Sequence, residues 1–122
     1  MATPTGVITQ AGQTGFLLLL KDETEEPFIY VGFGIGTTAA TVYDIALENE
    51  VAREEATLSK SGNAILINGQ HTATVGNNIS EFGIFNADNV MLYRGVLASA
   101  DAVGVDDIDV FELKLNVAQG TY

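Results

Sequence analysis

The chain contains no cysteine and no tryptophan, and only five of its 122 residues are lysine or arginine. Without cysteine there can be no disulfide framework, zinc–thiolate site or cysteine nucleophile. Sixteen aspartate and glutamate residues against five basic residues give a net charge of −11. Proteins that bind nucleic acid or anionic lipid need a basic surface. The composition therefore predicts that neither nucleic acid nor a membrane is a partner.

Long hydrophobic runs are also missing. The longest apolar run, Phe16–Leu20, is far shorter than the roughly 20 residues that a membrane-spanning helix needs. No basic residue precedes this run and no small-residue cleavage pattern follows it, so we expect no secretory signal and synthesis in a cytoplasm. The length fits one domain over residues 1–122, with residues 1–10 as an extended N-terminal arm.

Local patterns in the first half predict a helix, a strand and a second helix. Residues 9–21 predict a short helix that Thr9 caps, although two glycines within it disfavour a helix. The strand is predicted at Phe28–Phe33, which is rich in aromatic and β-branched residues. The second helix is predicted within residues 41–55.

The prediction of the second helix depends on the spacing of two pairs of residues. Thr41 and Asp44 have the spacing of a capping box, with aspartate in place of the usual glutamate. Leu47 and Val51 lie four residues apart, so they would share the inner face of that helix.

Two hairpins are predicted in the second half. Asn63–Ile67 and Gln70–Val75 flank the dipeptide Asn68-Gly69, and Asn-Gly between apolar runs is a strong hairpin signal, because a type I′ turn needs positive φ at both central residues. Ile79–Phe85 and Val90–Leu97 flank a polar turn and predict the second hairpin.

The last strand is predicted at Ile108–Val117. Its apolar residues Phe111, Leu113, Leu115 and Val117 alternate with polar ones, which indicates one buried and one solvated face. Short strands separated by turns predict a mainly β fold: an antiparallel β-sandwich, jelly-roll-like or Ig-like, or a small barrel, with one or two short helices.

The glycines at positions 32, 34 and 36 raise the question of a phosphate site. Their GxGxG spacing is neither the GxGxxG of a dinucleotide site nor a P-loop, because no Lys-Ser/Thr pair follows. Asp44 and Glu48 lie close behind and would repel phosphate. We interpret the glycines instead as positions of close backbone approach or of a β-bulge.

Other chemistry-bearing residues give weak signals. His71 is the only histidine, and it lacks a histidine or cysteine partner that would favour a metal site; a general base is the functional alternative to a packing role. A cluster of acidic residues near the C-terminus could gather oxygens around a cation, but its spacing matches no EF-hand loop. These are Asp101, Asp106, Asp107 and Asp109. We predict no catalytic residue, no cofactor, no metal site and no enzyme.

Three segments resemble a known group of proteins. Phe28–Arg53 (FIYVGFGIGTTAATVYDIALENEVAR), Ile79–Leu97 (ISEFGIFNADNVMLYRGVL) and Asp109–Val117 (DVFELKLNV) occur in the order seen in tailed-phage virion proteins. They are similar to the N-terminal module of phage tail-collar fibres and to short stand-alone phage decoration and tail proteins. The resemblance extends over most of the chain but is not specific to one place on the particle.

The resemblance implies a non-enzymatic structural protein on the virion surface. Because no fibre shaft or tip follows the module within the 122 residues, it implies a capsid decoration or cement protein that binds the major capsid protein as a homotrimer and stabilises the shell. The alternative is a tail-tip, baseplate or tail-fibre adaptor protein. Two further classes are a small hydrolase acting on the host envelope and a carbohydrate-binding module.

The partner contacts are predicted in the N-terminal arm and at exposed aromatic residues. The arm is uncharged from Ala2 to Gln10, so it could lie along a partner or add a strand to its sheet; a frayed terminus is the alternative. Aromatic residues are enriched at interfaces, which makes Phe82, Tyr93 and Tyr122 candidates. Core burial is the favoured interpretation for Phe82 and the alternative for Tyr93. The predicted partner-binding residues are Thr3, Pro4, Thr5, Val7, Ile8, Tyr93 and Tyr122.

Overall fold

The computed structural model describes residues 4–21 and 26–116, which contain eight strands and one helix. The mainly β prediction is therefore confirmed. The elements are β1 (Thr5–Ile8), α1 (Gln10–Leu20), β2 (Tyr30–Gly34), β3 (Glu50–Glu55), β4 (Thr57–Ser61), β5 (Ala64–Thr72), β6 (Asn77–Phe85), β7 (Met91–Val103) and β8 (Ile108–Asn116).

The strands form two antiparallel sheets that pack together, as the sandwich prediction requires. The large sheet has the order β1-β7-β6-β2-β3, and the small sheet has the order β4-β5-β8. One residue, Ala56, separates β3 from β4, and its N–H donates to the Ile29 carbonyl at 2.6 Å. The chain thus passes from the edge of one sheet directly to the edge of the other.

The main core lies between the sheets and is rich in aromatic rings. Phe82 of the large sheet stacks on Phe111 of the small sheet with ring centroids 4.8 Å apart, and Phe33 meets Phe82 edge-on at 5.7 Å. A second, smaller cluster lies apart from this core and consists of Leu47, Phe85 and Met91. The large sheet is therefore covered on both faces.

Helix α1 begins where the capping pattern predicts. Thr9 is fully buried; its hydroxyl accepts a hydrogen bond from the Gly12 N–H at 2.9 Å and donates one to the Met91 carbonyl at 2.6 Å. The cap thus fixes the helix end to β7 as well as starting the helix. Over residues 4–21 and 26–116, no helix is long and apolar enough to cross a membrane.

The prediction of a second helix within residues 41–55 is wrong. The capping contact itself forms, because the Asp44 carboxylate accepts from the Thr41 N–H at 2.9 Å, but only a turn follows it. The N–H groups of Glu48 and Asn49 donate to a side chain of β6 and are therefore lost to a helical ladder. Val51 lies in β3 and is 38% exposed, so it shares no inner helix face with Leu47.

The predicted turn at Asn68-Gly69 is also wrong. Both residues lie inside β5, which runs unbroken and pairs them with Glu112 and Phe111 of β8. The turn occurs six residues earlier, where Ser61 pairs with Ala64 and Gly62 adopts a φ of 60°.

The other strand predictions are confirmed. Strands β6 and β7 form the predicted second hairpin, and the Asn86 side chain holds its turn by accepting from the N–H groups of Asp88 and Val90 at 3.0 and 2.8 Å. In β8, Phe111 is buried, Leu113 and Leu115 are partly buried, and the intervening residues are exposed. Val117 lies outside the described residues.

Candidate partner-binding surface

A loop of residues 35–49 is held against the large sheet by one buried carboxylate. Glu81 of β6 is fully buried, and its oxygens accept from the N–H groups of Gly36, Glu48 and Asn49 at 2.7, 2.9 and 2.8 Å. Arg94 Nε donates a fourth hydrogen bond at 3.1 Å and completes a buried ion pair. Three backbone groups at the two ends of the loop thus converge on one side chain.

The three glycines make room for this arrangement. A Cβ at Gly36 would lie 2.3 Å from Glu81 Oε2, and one at Gly34 would lie 2.7 Å from the same oxygen. A Cβ at Gly32 would lie 2.9 Å from the Phe85 ring. The register between β2 and β3 also shifts between Phe33 and Gly34. Both parts of the sequence interpretation, close approach and a bulge, are confirmed.

A second ionic contact fixes the tip of the loop. Arg94 Nη1 donates to Asp44 Oδ2 at 3.0 Å, and Asp44 in turn holds Thr41. Burial opposes the charged form of Asp44, but hydrogen bonds from Thr41 and Arg94 outweigh it and lower its pKa. The Gln10 N–H at the start of α1 donates to the Val42 carbonyl at 2.7 Å. The loop is therefore tied to β6, β7 and α1.

Hydrogen bonds within the loop itself hold its first part in place. The Glu48 carboxylate accepts from the Thr38 hydroxyl and from the N–H groups of Thr37 and Thr38. These hydrogen bonds, that of the Thr38 hydroxyl first, lower the pKa of Glu48. Both acidic side chains of the loop, Asp44 and Glu48, are thus engaged by neighbouring donors.

The anchored loop presents apolar side chains to solvent. Tyr43 and Ile45 are each 73% exposed, and Val42 beside them is 37% exposed. No charged residue occurs between Pro27 and Tyr43. An apolar tip on a fixed backbone loses little conformational entropy when it is buried against another protein. Residues 35–49 therefore have the properties of a recognition loop.

The predicted N-terminal arm is not free. Residues Thr5 to Ile8 form β1, which pairs with Val96 to Tyr93 of β7 in the chain's own sheet. Val7 and Ile8 are half-buried, Thr5 is exposed and Pro4 lies just before the strand. The described part of the arm therefore belongs to the chain's own sheet, where β1 is an edge strand. Thr3 lies outside the described residues.

The expected core burial of Phe82 is confirmed, and the predicted exposed face of Tyr93 is wrong. Phe82 is fully buried and Tyr93 is 7% exposed. The Tyr93 ring stacks on Phe111 and covers Gly6 and Gly95, where an added Cβ would lie 2.2 Å from the tyrosine hydroxyl. Burial raises the pKa of Tyr93. Both rings belong to the core, and Tyr122 lies outside the described residues.

The acidic cluster and His71 form no metal site in the described part of the chain. The His71 ring packs 5.5 Å from the Phe33 ring, and its Nδ1 lies 3.4 Å from Glu54 Oε1, so the histidine has a packing role. Asp107 caps the β7–β8 turn by accepting from the Gly104 N–H at 2.9 Å. This arrangement contains no nucleophile–base pair.

Asp109 is a buried carboxylate at a position where it destabilises the fold. It is 6% exposed, and its Oδ2 makes no hydrogen bond. Burial raises its pKa above the ordinary 3.8, and the charge of Asp101 raises it further. An acid whose pKa is higher in the folded chain than in the unfolded chain destabilises the fold at neutral pH, and this penalty disappears as the pH falls toward the unfolded value.

We expect Asp109→Asn to raise the melting temperature at pH 7 and to change it little near pH 4. Thermal unfolding followed by circular dichroism at the two pH values measures the difference. Asp88→Asn is the matched control, because Asp88 is exposed and should give no pH-dependent gain. An equal gain at both pH values would contradict the electrostatic origin.

Glu81, the residue on which the surface depends, was not among the residues predicted from sequence. Its signal was present: Glu81 is the one charged residue in the strand sequence ISEFGIF, and it precedes an apolar run. A charge within a strand that is otherwise apolar indicates a buried, paired group. Its partners could not be identified, because they lie 13 to 45 residues away along the chain.

Comparisons with protein-family models, with curated proteins and with solved structures found no match to the chain.

Proposed function

We propose that the protein is a non-enzymatic structural component of a tailed-phage virion that binds the outer surface of the capsid as a decoration or cement protein. The anchored, apolar recognition loop carries the proposal. It lies within Phe28–Arg53, the first of the three segments that resemble phage virion proteins. The partner is the major capsid protein, and the protein acts as a homotrimer on the virion surface.

Tyr43 and Ile45 are the residues proposed to enter the capsid surface. Tyrosine is among the residues that dominate interface energies, because it buries a large area at a small entropic cost. The charge of the chain, −11, works against contact with acidic surfaces. At the tip the one acidic residue, Asp44, is paired with Arg94, so attachment is less opposed there. Repetition over the capsid lattice multiplies a modest contact into a stable coat.

A cement protein acts by surface burial alone. Each copy that spans a junction between capsid subunits adds association free energy to the shell, and an interface of standard size, about 1,600 Å² in total, is enough for stable binding. No proton transfer or bond cleavage is needed. This agrees with a surface where both loop carboxylates are engaged by neighbouring donors.

The first experiment is to measure the copy number in purified virions against the major capsid protein by quantitative mass spectrometry. A ratio near that of the capsid subunit is expected, and heads stripped of the protein should lose DNA at lower temperature. A ratio far below it, with the protein absent from tailless heads, would instead indicate a tail-tip, baseplate or adaptor position and overturn the capsid assignment.

The role of the recognition loop is tested by measuring how tightly the Ile45→Asp variant binds to heads stripped of the protein. We expect the dissociation constant to rise by at least about 30-fold, the effect of losing a hot-spot contact of about 2 kcal/mol. Val75→Asp is the matched control, because Val75 is 60% exposed and lies outside the loop. Equal binding by the two variants would show that the recognition loop does not contact the shell.

A further inference from the structure

Helix α1 carries three of its large apolar side chains on the outside, whereas Leu19 packs against the main core. Its two buried residues are Gly12 and Gly15, and a Cβ at Gly12 would lie 2.5 Å from Leu92 Cα, so small residues let the helix lie directly on β7. Phe16, Leu17 and Leu20 are instead 44%, 60% and 70% exposed. A helix of a monomeric protein normally has the reverse pattern, with its large apolar residues against the core.

A groove of about 640 Å³ lies beside this exposed helix face. We call it the α1 groove; its apolar lining consists mainly of Ile8, Phe16, Leu17, Ile65, Leu92 and Leu115. Ile65 lies two residues from buried Ile67 along β5 and so shares its core-facing side, yet it is 46% exposed. The α1 groove is therefore an open end of the core.

The charges around the α1 groove favour a second copy of this chain as its occupant. Two chains with a net charge of −11 repel each other, so contact between copies is least opposed where acidic side chains are absent. The residues that line the groove include no acidic side chain and one cation, Lys60.

The exposed area also suits an interface between copies. Phe16, Leu17, Leu20 and Ile65 together expose on the order of 400 Å² of apolar surface, a size typical of functional patches. A standard interface buries about 800 Å² on each partner, of which about 57% is apolar. These four side chains could therefore supply most of the apolar part of such an interface.

We propose that the α1 groove and the exposed residues Phe16, Leu17 and Leu20 form one apolar surface, and that copies of the chain contact one another through it. The inference deepens the proposed function, because it names the surface that builds the homotrimer. It leaves the recognition loop free for the capsid.

The test is the molar mass of the purified full chain in solution, without capsids, by light scattering at micromolar concentration. The parent chain should have the mass of an oligomer, three chains in the proposed trimer. Leu17→Asp and Leu17→Lys should each reduce the mass about threefold to that of one chain, and the single chain should keep the circular dichroism spectrum of the parent because Leu17 is 60% exposed within one copy. Ile45→Asp, the matched control in the recognition loop, should remain oligomeric.

A parent chain with the mass of a single copy, or Leu17 variants that remain oligomeric, would overturn the inference. If the parent is a single copy and Leu17→Asp loses binding to stripped heads, the α1 groove binds the capsid and not a second copy. An oligomer that fails to bind heads would overturn the proposed function and leave this inference intact.

Discussion

Glu81→Gln is expected to lower the free energy of unfolding by about 3–5 kcal/mol, the range found when one partner of a buried ion pair is removed. The glutamine has the same shape, but its NH₂ group cannot accept from the N–H groups that now converge on Glu81. Arg94 would also lose its buried counter-charge. At about 4 °C per kcal/mol for a domain of this size, the melting temperature should fall by about 12–20 °C.

The same variant should release the recognition loop. Glutamine keeps only one oxygen that can accept, so hydrogen exchange is expected to accelerate at those of the Gly36, Glu48 and Asn49 amides that face the new NH₂ group. Glu55→Gln is the control: Glu55 is exposed on β3, and the change should alter stability by less than about 0.5 kcal/mol. If Glu81→Gln leaves both the melting temperature and these exchange rates unchanged, the buried carboxylate does not hold the loop.

Gly69→Ala is expected to destabilise the protein by about 1–3 kcal/mol through overpacking of the core. A Cβ at Gly69 in the small sheet would lie 2.5 Å from Val31 Cβ in the large sheet. Val31 is fully buried and cannot turn away. The two sheets would have to move apart locally, and packing contacts around the clash would be lost. Thermal or urea unfolding measures the loss.

A size exchange distinguishes the clash from other effects of the substitution. Val31→Gly alone should leave a cavity, but combined with Gly69→Ala it removes all three Val31 side-chain atoms that the new Cβ would meet. The double variant should therefore be more stable than the sum of the two single effects by at least about 1 kcal/mol. Gly76→Ala is the control, since its nearest neighbour is the Val103 carbonyl at 3.8 Å. Strict additivity would show that the two sites do not touch.

The parts of the fold that were predictable from sequence are those governed by local chemistry. The Thr9 cap, the β6–β7 hairpin and the alternation in β8 depend on residues that are close in the chain. The predictions were wrong where a contact with a residue distant in the chain determines the local structure. Asn68-Gly69 has the composition of a turn, but Gly69 is needed in a strand because Val31 approaches from the other sheet.

The recognition loop shows the same limit. The spacing of Thr41 and Asp44 correctly predicts their contact, but the helix that should follow is replaced by the hydrogen bonds of Glu81. The glycine pattern correctly indicated that other groups approach the backbone closely, but it did not identify Glu81 and Phe85 as those groups. Exposure of Tyr43 and Ile45 depends on all of these contacts together, so no local pattern predicts it.

The hydrogen bonds that anchor the recognition loop also determine when, during folding, the proposed binding surface forms. Glu81 lies 32 to 45 residues beyond the loop amides that it accepts from, and such long-range contacts close late, after the entropy of the intervening chain has been lost. A nascent chain that has not yet placed β6 therefore lacks a formed loop. The proposed attachment to a partner would in this way be reserved for molecules that have finished folding.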